Sequence, residues 1–233
     1  MQTVYDIFPK IDDLRNPKNY ADIRSPFFWE VFEKCKASSL LGVEGFYNLF
    51  RSIEYIARNQ IPGDIVECGV FLGGAILAMS EFAQHFGLRD RRFHLYDTFA
   101  GFPSNTKETD LHGKTKEFCP HKNFLSQVQA LLSRSPFPAD QFKFVPGLVE
   151  ETLAVTKPEK IALLRLDTDY YESTRVELEA LYPQLASGGV LIVDDYGHFE
   201  GARRATDEYF AKQARSILFS RINYSVRCGV KIS

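Results

Sequence analysis

The sequence predicts an α/β protein: a doubly wound, mostly parallel sheet with helices on both faces, preceded by an N-terminal helical segment. Three observations carry this. Short apolar runs alternate with helix-period segments from about residue 64 onward, as βαβ units require. The runs Lys160–Leu166 and Gly189–Val193 are nearly continuous in apolar residues, the texture of strands buried on both faces. A length of 233 residues, with 45% hydrophobic and 25% charged residues, is ordinary for one globular domain.

The elements follow in chain order. Residues 1–25 are polar, carry Pro9 and Pro17, and read as a loosely structured arm. Ser25 can cap a helix and Pro26 suits its first turn, with Phe27, Val31, Phe32 and Cys35 on one side. A second helix spans about Gly42–Arg58, burying Phe46, Leu49, Phe50, Ile53 and Ile56, and stops before Pro62-Gly63. Then come a strand at Asp64–Cys68, a glycine-bearing turn, a helix at Ala75–Phe86, and a strand at Arg92–Tyr96 ending on Asp97. The irregular stretch 98–122, with Gly101, Pro103, Gly113 and Pro120, precedes a helix at Asn123–Arg134 and a strand at Gln141–Val145. A central strand at Lys160–Leu166, a helix at Ser173–Leu185, a strand at Gly189–Val193 and a helix at Ala202–Arg215 follow; Ile217–Phe219 and Tyr224–Lys231 close the chain as strands. The expected division is an arm and helical lid over 1–60 and a catalytic domain over 61–233.

Composition removes several function classes. With 28 basic and 30 acidic residues the net charge is -2, so there is no bulk positive field for nucleic acid. No apolar stretch approaches the ~18 residues of a membrane span, and the polar N-terminus lacks the apolar core of a signal peptide. A cytoplasmic protein with no membrane partner is the expectation. Cys35, Cys68, Cys119 and Cys228 form no CxxC pair or zinc spacing and read as reduced thiols.

Ligands of such sheets bind outside the carboxyl ends of the strands. Here those ends are mostly acids: Glu67, Asp97, Asp167, and the pair Asp194-Asp195. The turn Glu67-Cys68-Gly69-Val70-Phe71-Leu72-Gly73-Gly74 lets a ligand approach the backbone, but it lacks GxGxxG, and Glu67 would repel a phosphate. Asp97 at the next strand end can accept ribose hydroxyls. A ribose-bearing, cationic, phosphate-free cofactor describes S-adenosylmethionine, with Glu67, Cys68, Gly69, Gly73 and Asp97 around it. Asp167 and Asp169 leave one strand tip, Asp194 and Asp195 the next; an all-oxygen set of this kind selects Mg²⁺. The competing reading has Asp194-Asp195 capping the following helix and Asp167 paired with Arg165 or Arg175. Tyr170, Tyr171, Tyr196 and Phe199 suit either an acceptor wall or core packing. Phe118-Cys119-Pro120-His121 is a poor metal site, having two ligands and no further partners.

The segments GDIVECGVFLGG, YDTFAGFP, LLRLDTDYYESTRVELEALYPQLASGGVLIVDDYG and GARRATDEYF, in that order, resemble the macrocin O-methyltransferase (TylF-like) family. The resemblance implies a Rossmann-like class I methyltransferase that uses S-adenosylmethionine and Mg²⁺ on sugar hydroxyls of natural products. It implies a metal site of Asp167, Asp194 and Asp195, and Asp169 as general base, with His198 the alternative base. It further implies cofactor contacts from Glu67, Gly69 and Asp97, Thr98 and Phe99 beside the adenine, and a homo-oligomer. Residues 1–25 and 104–122 depart from the family pattern. The sequence leaves open a catechol or other vicinal-hydroxyl acceptor. A nicotinamide-dependent oxidoreductase is disfavoured by the missing GxGxxG.

Overall fold

The computed structural model describes residues 15–101, 124–215 and 217–232. Cys119 and the Phe118–His121 motif, and all of 104–122, lie outside them. The helices are α1 (Pro26–Cys35), α2 (Val43–Arg58), α3 (Gly74–His85), α4 (Phe124–Leu132), α5 (Val149–Val155), α6 (Tyr171–Leu181) and α7 (Glu200–Ala211). The strands are β1 (Asp64–Cys68), β2 (Phe93–Asp97), β3 (Phe142–Pro146), β4 (Ile161–Leu166), β5 (Leu185–Val193), β6 (Ser220–Arg221) and β7 (Arg227–Val230).

They form one sheet in the order β3-β2-β1-β4-β5-β7-β6. The first five strands pair in parallel, and β7 runs antiparallel to β5 and β6. The chain winds outward from β1 to β3 and then restarts at β4 on the other side of β1. The switch point therefore lies between β1 and β4, where such sheets bind ligands.

Alternation divides the core in two. Ile65 of β1 faces a cluster built from α1–α4, and Val66 faces one built from α5 and α6. The N-terminal helices belong to the first cluster: Phe28, Phe50 and Phe82 pack ring against ring, and Ile53 and Ile56 join Ile65 in the same core. Ser25 caps α1 by accepting from Phe28 N at 3.2 Å, with Pro26 in the first turn. Helix α3 is buried almost all round from Gly74 to Ala83, so its sequence lacks a strong polar face.

Helix α5 is an addition to the elements read from sequence. Its seven residues bury Val149 and Leu153, with Glu150 and Glu151 in the first turn. Strand β5 starts at Leu185, earlier than expected. Helix α6 gives way at Leu181 to a 3-10 turn containing Pro183, which has no N–H to continue the α-helical ladder. A register shift between Ile161 and Leu163 of β4 then carries β5 past Gly188-Gly189. Among the described residues, no helix is long and apolar enough to cross a membrane.

Candidate active site

Register brings the charged residues together. Glu67 pairs with Arg165, and Arg165 with Ile192, across β1, β4 and β5. Leu166 pairs with Val193, and Asp194 N donates to Leu166 O at 2.9 Å, so Asp167 and Asp194 leave neighbouring tips together. Side chains two apart share a face, which puts Glu67, Arg165, Asp167 and Asp194 on the same side of the sheet. The Arg165 guanidinium bonds Glu67 at 2.5 Å, Asp167 at 2.7 Å and Asp194 at 2.7 Å. One fork of donors thus touches three carboxylates, a geometry the planar guanidinium permits.

The cluster remains acid-rich despite Arg165. Carboxylate oxygens of Asp167, Asp194 and Asp195 all lie within 4.8 Å of one another. Burial pushes Asp167 well above the ordinary aspartate range; Arg165 opposes this, while Asp194, Asp169 and Glu67 add to it. Asp195 is raised likewise, by burial and then by Asp169, Asp167 and Asp194. Burial drives Glu67 to about 7 against the pull of Arg165, and its Oε2 has no hydrogen-bond partner. The donor set is all oxygen and in excess of its one buried counter-ion, which suits a hard divalent cation. The Asp167–Arg165 pair of the competing reading is present as well, and the two are compatible because the ion pair engages one oxygen, Oδ2, of Asp167. The capping part of that reading is not seen: the N-cap of α7 is Phe199, without a side-chain cap.

Asp169 has φ 71°, in the left-handed region, and its N–H reaches Asp195 Oδ2 at 3.2 Å. That conformation turns the chain sharply between Asp167 and α6 and seats Asp169 between the acid cluster and a cavity. The cavity encloses about 960 Å³ including its open mouth and the solvent space in front of it. Gly69, Asp97, Thr98, Asp167, Asp169 and Tyr170 line it, joined by Leu40 and Glu150, which carried no sequence signal. Gly69 sits at φ 83°, and a Cβ there would lie 1.9 Å from Asp167 O. Only glycine lets the β1 turn cross the β4 tip.

Of the other expected site residues, Glu67, Cys68, Gly73, Phe99 and His198 stand back from the cavity. Glu67 and Cys68 are wholly buried beneath it. Phe99 packs in the core against Phe144, with ring centroids 6.0 Å apart, and Gly73 begins α3 against Val128. Asp97 braces the turn: Oδ2 accepts from Val70 N at 2.6 Å and Phe71 N at 3.1 Å, and Oδ1 from Phe99 N at 2.7 Å. Burial raises its pKa, and these N–H groups oppose the rise. His198 is not among the lining residues; its Nδ1 lies 3.3 Å from the Tyr224 hydroxyl. Of the aromatic candidates only Tyr170 lines the cavity, since Tyr171 bonds Glu208 and Tyr196 bonds Asp207 of α7. Glu177, a fully buried acid of α6, was not foreseen: burial holds it well above the ordinary range, behind Thr168 and Cys68.

A seven-stranded sheet with one reversed strand, and a cavity at the β1/β4 switch, define the class I methyltransferase fold. The solved structure of the O-methyltransferase NovP superposes with a TM-score of 0.76 at 27% identity, covering 88% of each chain. The macrocin-O-methyltransferase (TylF) family matches residues 33–225, so the chain belongs to that family and is an O-methyltransferase. Demethyldecarbamoylnovobiocin O-methyltransferase of Streptomyces niveus is 34% identical over 181 residues, 76% of this chain and 69% of that one. Mycinamicin III 3''-O-methyltransferase of Micromonospora griseorubida is 34% identical over 180 residues, 74% of this chain and 70% of its own.

Proposed function

We propose that this protein transfers a methyl group from S-adenosylmethionine to a sugar hydroxyl of a glycosylated natural product, assisted by Mg²⁺ on Asp167, Asp194 and Asp195. The observation that carries this is the convergence of these three carboxylates beside a cavity that Asp167 and Asp169 also line. When bound, a divalent cation supplies Lewis-acid polarisation of an acceptor oxygen. The relatives, a demethyldecarbamoylnovobiocin O-methyltransferase and a mycinamicin III 3''-O-methyltransferase, support a natural-product sugar as acceptor.

The chain's own residues divide the work. Gly69, Asp97 and Thr98 shape the cofactor end of the cavity, and Arg165 with Glu67 holds Asp167 and Asp194 from below. Asp169, buried at the junction, takes the acceptor hydroxyl proton as general base. The hydroxyl oxygen forms the new C–O bond as the methyl–sulfur bond breaks, and sulfur keeps the electron pair as a neutral thioether. Alignment of the two reactants supplies much of the acceleration. Asp169 is favoured over His198 because it lines the cavity.

The test is transfer of labelled methyl from S-adenosylmethionine to a panel of glycosylated macrolides and aminocoumarins, with catechols alongside. Label on the glycosides, abolished by EDTA and restored by Mg²⁺, is expected. Label on catechols alone overturns the sugar reading, and full turnover in excess EDTA overturns the metal.

A further inference from the structure

Arg15, in the stretch before α1, has a defined structural task. Arg15 is 2% exposed. Its Nη1 donates to Lys36 O at 2.9 Å, and its Nη2 to Ser39 O and Leu41 O, each at 2.7 Å. One side chain from the arm therefore gathers three carbonyls of the segment joining α1 to α2. That segment holds only a single 3-10 turn, Lys36–Ser38, and the N-cap of α2, Gly42, provides no side-chain cap. Regular structure does little to fix its shape, and buried carbonyls need donors. A guanidinium spans several carbonyls at once; an ammonium is a point donor.

The segment is also part of the cavity. Leu40 lines it together with Gly69 and Asp97, and at 41% exposure it is a large apolar side chain left open to solvent. Its neighbours Ser39 and Leu41 are buried, so the chain turns outward for this one residue. On the other side the segment rests on the start of α3: a Cβ on Gly74 would meet Ser38 O at 2.6 Å and Cys35 O at 2.8 Å. Gly74 leaves room for the Cys35 and Ser38 carbonyls, and Arg15 holds those of Lys36, Ser39 and Leu41.

We propose that Arg15 is a positioning residue for cofactor binding. It straps Lys36–Leu41 against the head of α3, so that Leu40 closes over the occupant of the cavity. The proposal rests on the reading of this cavity as the S-adenosylmethionine site. An occupant would cover Leu40, and a pre-shaped roof spares the cost of ordering it on binding.

The experiment compares wild type, Arg15→Ala and Arg15→Lys in the full chain. S-adenosylhomocysteine binding is measured by calorimetry, amide exchange over 36–42 by mass spectrometry, and KM and kcat with S-adenosylmethionine. Circular dichroism confirms folding. Arg15→Ala is expected to weaken S-adenosylhomocysteine by about tenfold or more, to raise exchange over 36–42, and to place the kinetic loss on KM for the cofactor rather than on kcat. Arg15→Lys, keeping charge but not the fork, recovers only part. Affinity within about twofold of wild type in folded Arg15→Ala overturns the proposal, as does unchanged exchange over 36–42. Wild-type protein that binds no S-adenosylhomocysteine overturns the cofactor reading instead, and exchange alone then judges the strap.

Discussion

Replacing Glu67 by Gln tests the electrostatics beneath the site. The Glu67 carboxyl is wholly buried, bonded to Arg165 through Oε1, with Oε2 unpartnered. Its pKa stands at about 7 against an ordinary 4.5. A carboxyl whose pKa is higher in the folded chain holds its proton more tightly there, so stability falls as pH rises from 4.5 towards 7. At about 1.36 kcal/mol per pK unit, this one group removes about 2.5 kcal/mol of stability between pH 5 and pH 8. Gln has the same shape, still offers Arg165 an oxygen, and does not titrate. Urea denaturation of metal-free protein in EDTA, at both pH values, gives the difference directly. Relative to wild type, Glu67→Gln should gain about 2.5 kcal/mol between pH 5 and pH 8. A gain below about 1 kcal/mol, or a loss, would refute the assignment of Glu67 as a buried acid with a raised pKa.

Three further changes probe the neighbours. Asp169→Asn should lower kcat by about 10²–10⁴ while Mn²⁺ binding, followed by its electron spin resonance, stays near wild type; a loss of metal affinity instead would make Asp169 a ligand. Arg165→Met strips the counter-ion from Glu67, Asp167 and Asp194. Loss of one partner of a buried ion pair costs about 3 kcal/mol, so Tm in EDTA should fall by roughly 6–12 °C; a fall under ~2 °C contradicts the role given to Arg165. Gly69→Ala drives a Cβ into the Asp167 carbonyl at φ 83° and should abolish S-adenosylhomocysteine binding or soluble expression; calorimetry showing wild-type affinity would contradict the close crossing.

Much of this arrangement was legible in the residues because its causes are local or periodic. The apolar runs of β4 and β5 announced buried parallel strands, and the acids following them could then be placed at strand ends without coordinates. Arg165 was readable too, two residues before Asp167 and so on the same face, though its threefold engagement depends on a register that pairs it with Glu67. What stayed hidden was set by tertiary contact. Phe99 looked like an adenine neighbour, yet the left-handed turn after Asp97 folds it inward to Phe144. Asp97 reads as a hydroxyl acceptor, and the sequence gives no sign that it also accepts three backbone N–H groups. Arg15 lies in a polar arm without periodicity, and its carbonyl partners more than 20 residues away leave no mark in the sequence.

Three aspartates at the tips of β4 and β5 are proposed to hold a divalent cation that the methyl transfer needs. Labelled methyl transfer to a glycosylated acceptor, run on wild type and Asp167→Asn with S-adenosylhomocysteine affinity measured on both, tests it most directly. Asp167→Asn, or EDTA, should abolish transfer while the nucleoside still binds, and Mg²⁺ should restore only the wild type. Turnover by Asp167→Asn near the wild-type rate, or indifference to EDTA, would contradict it.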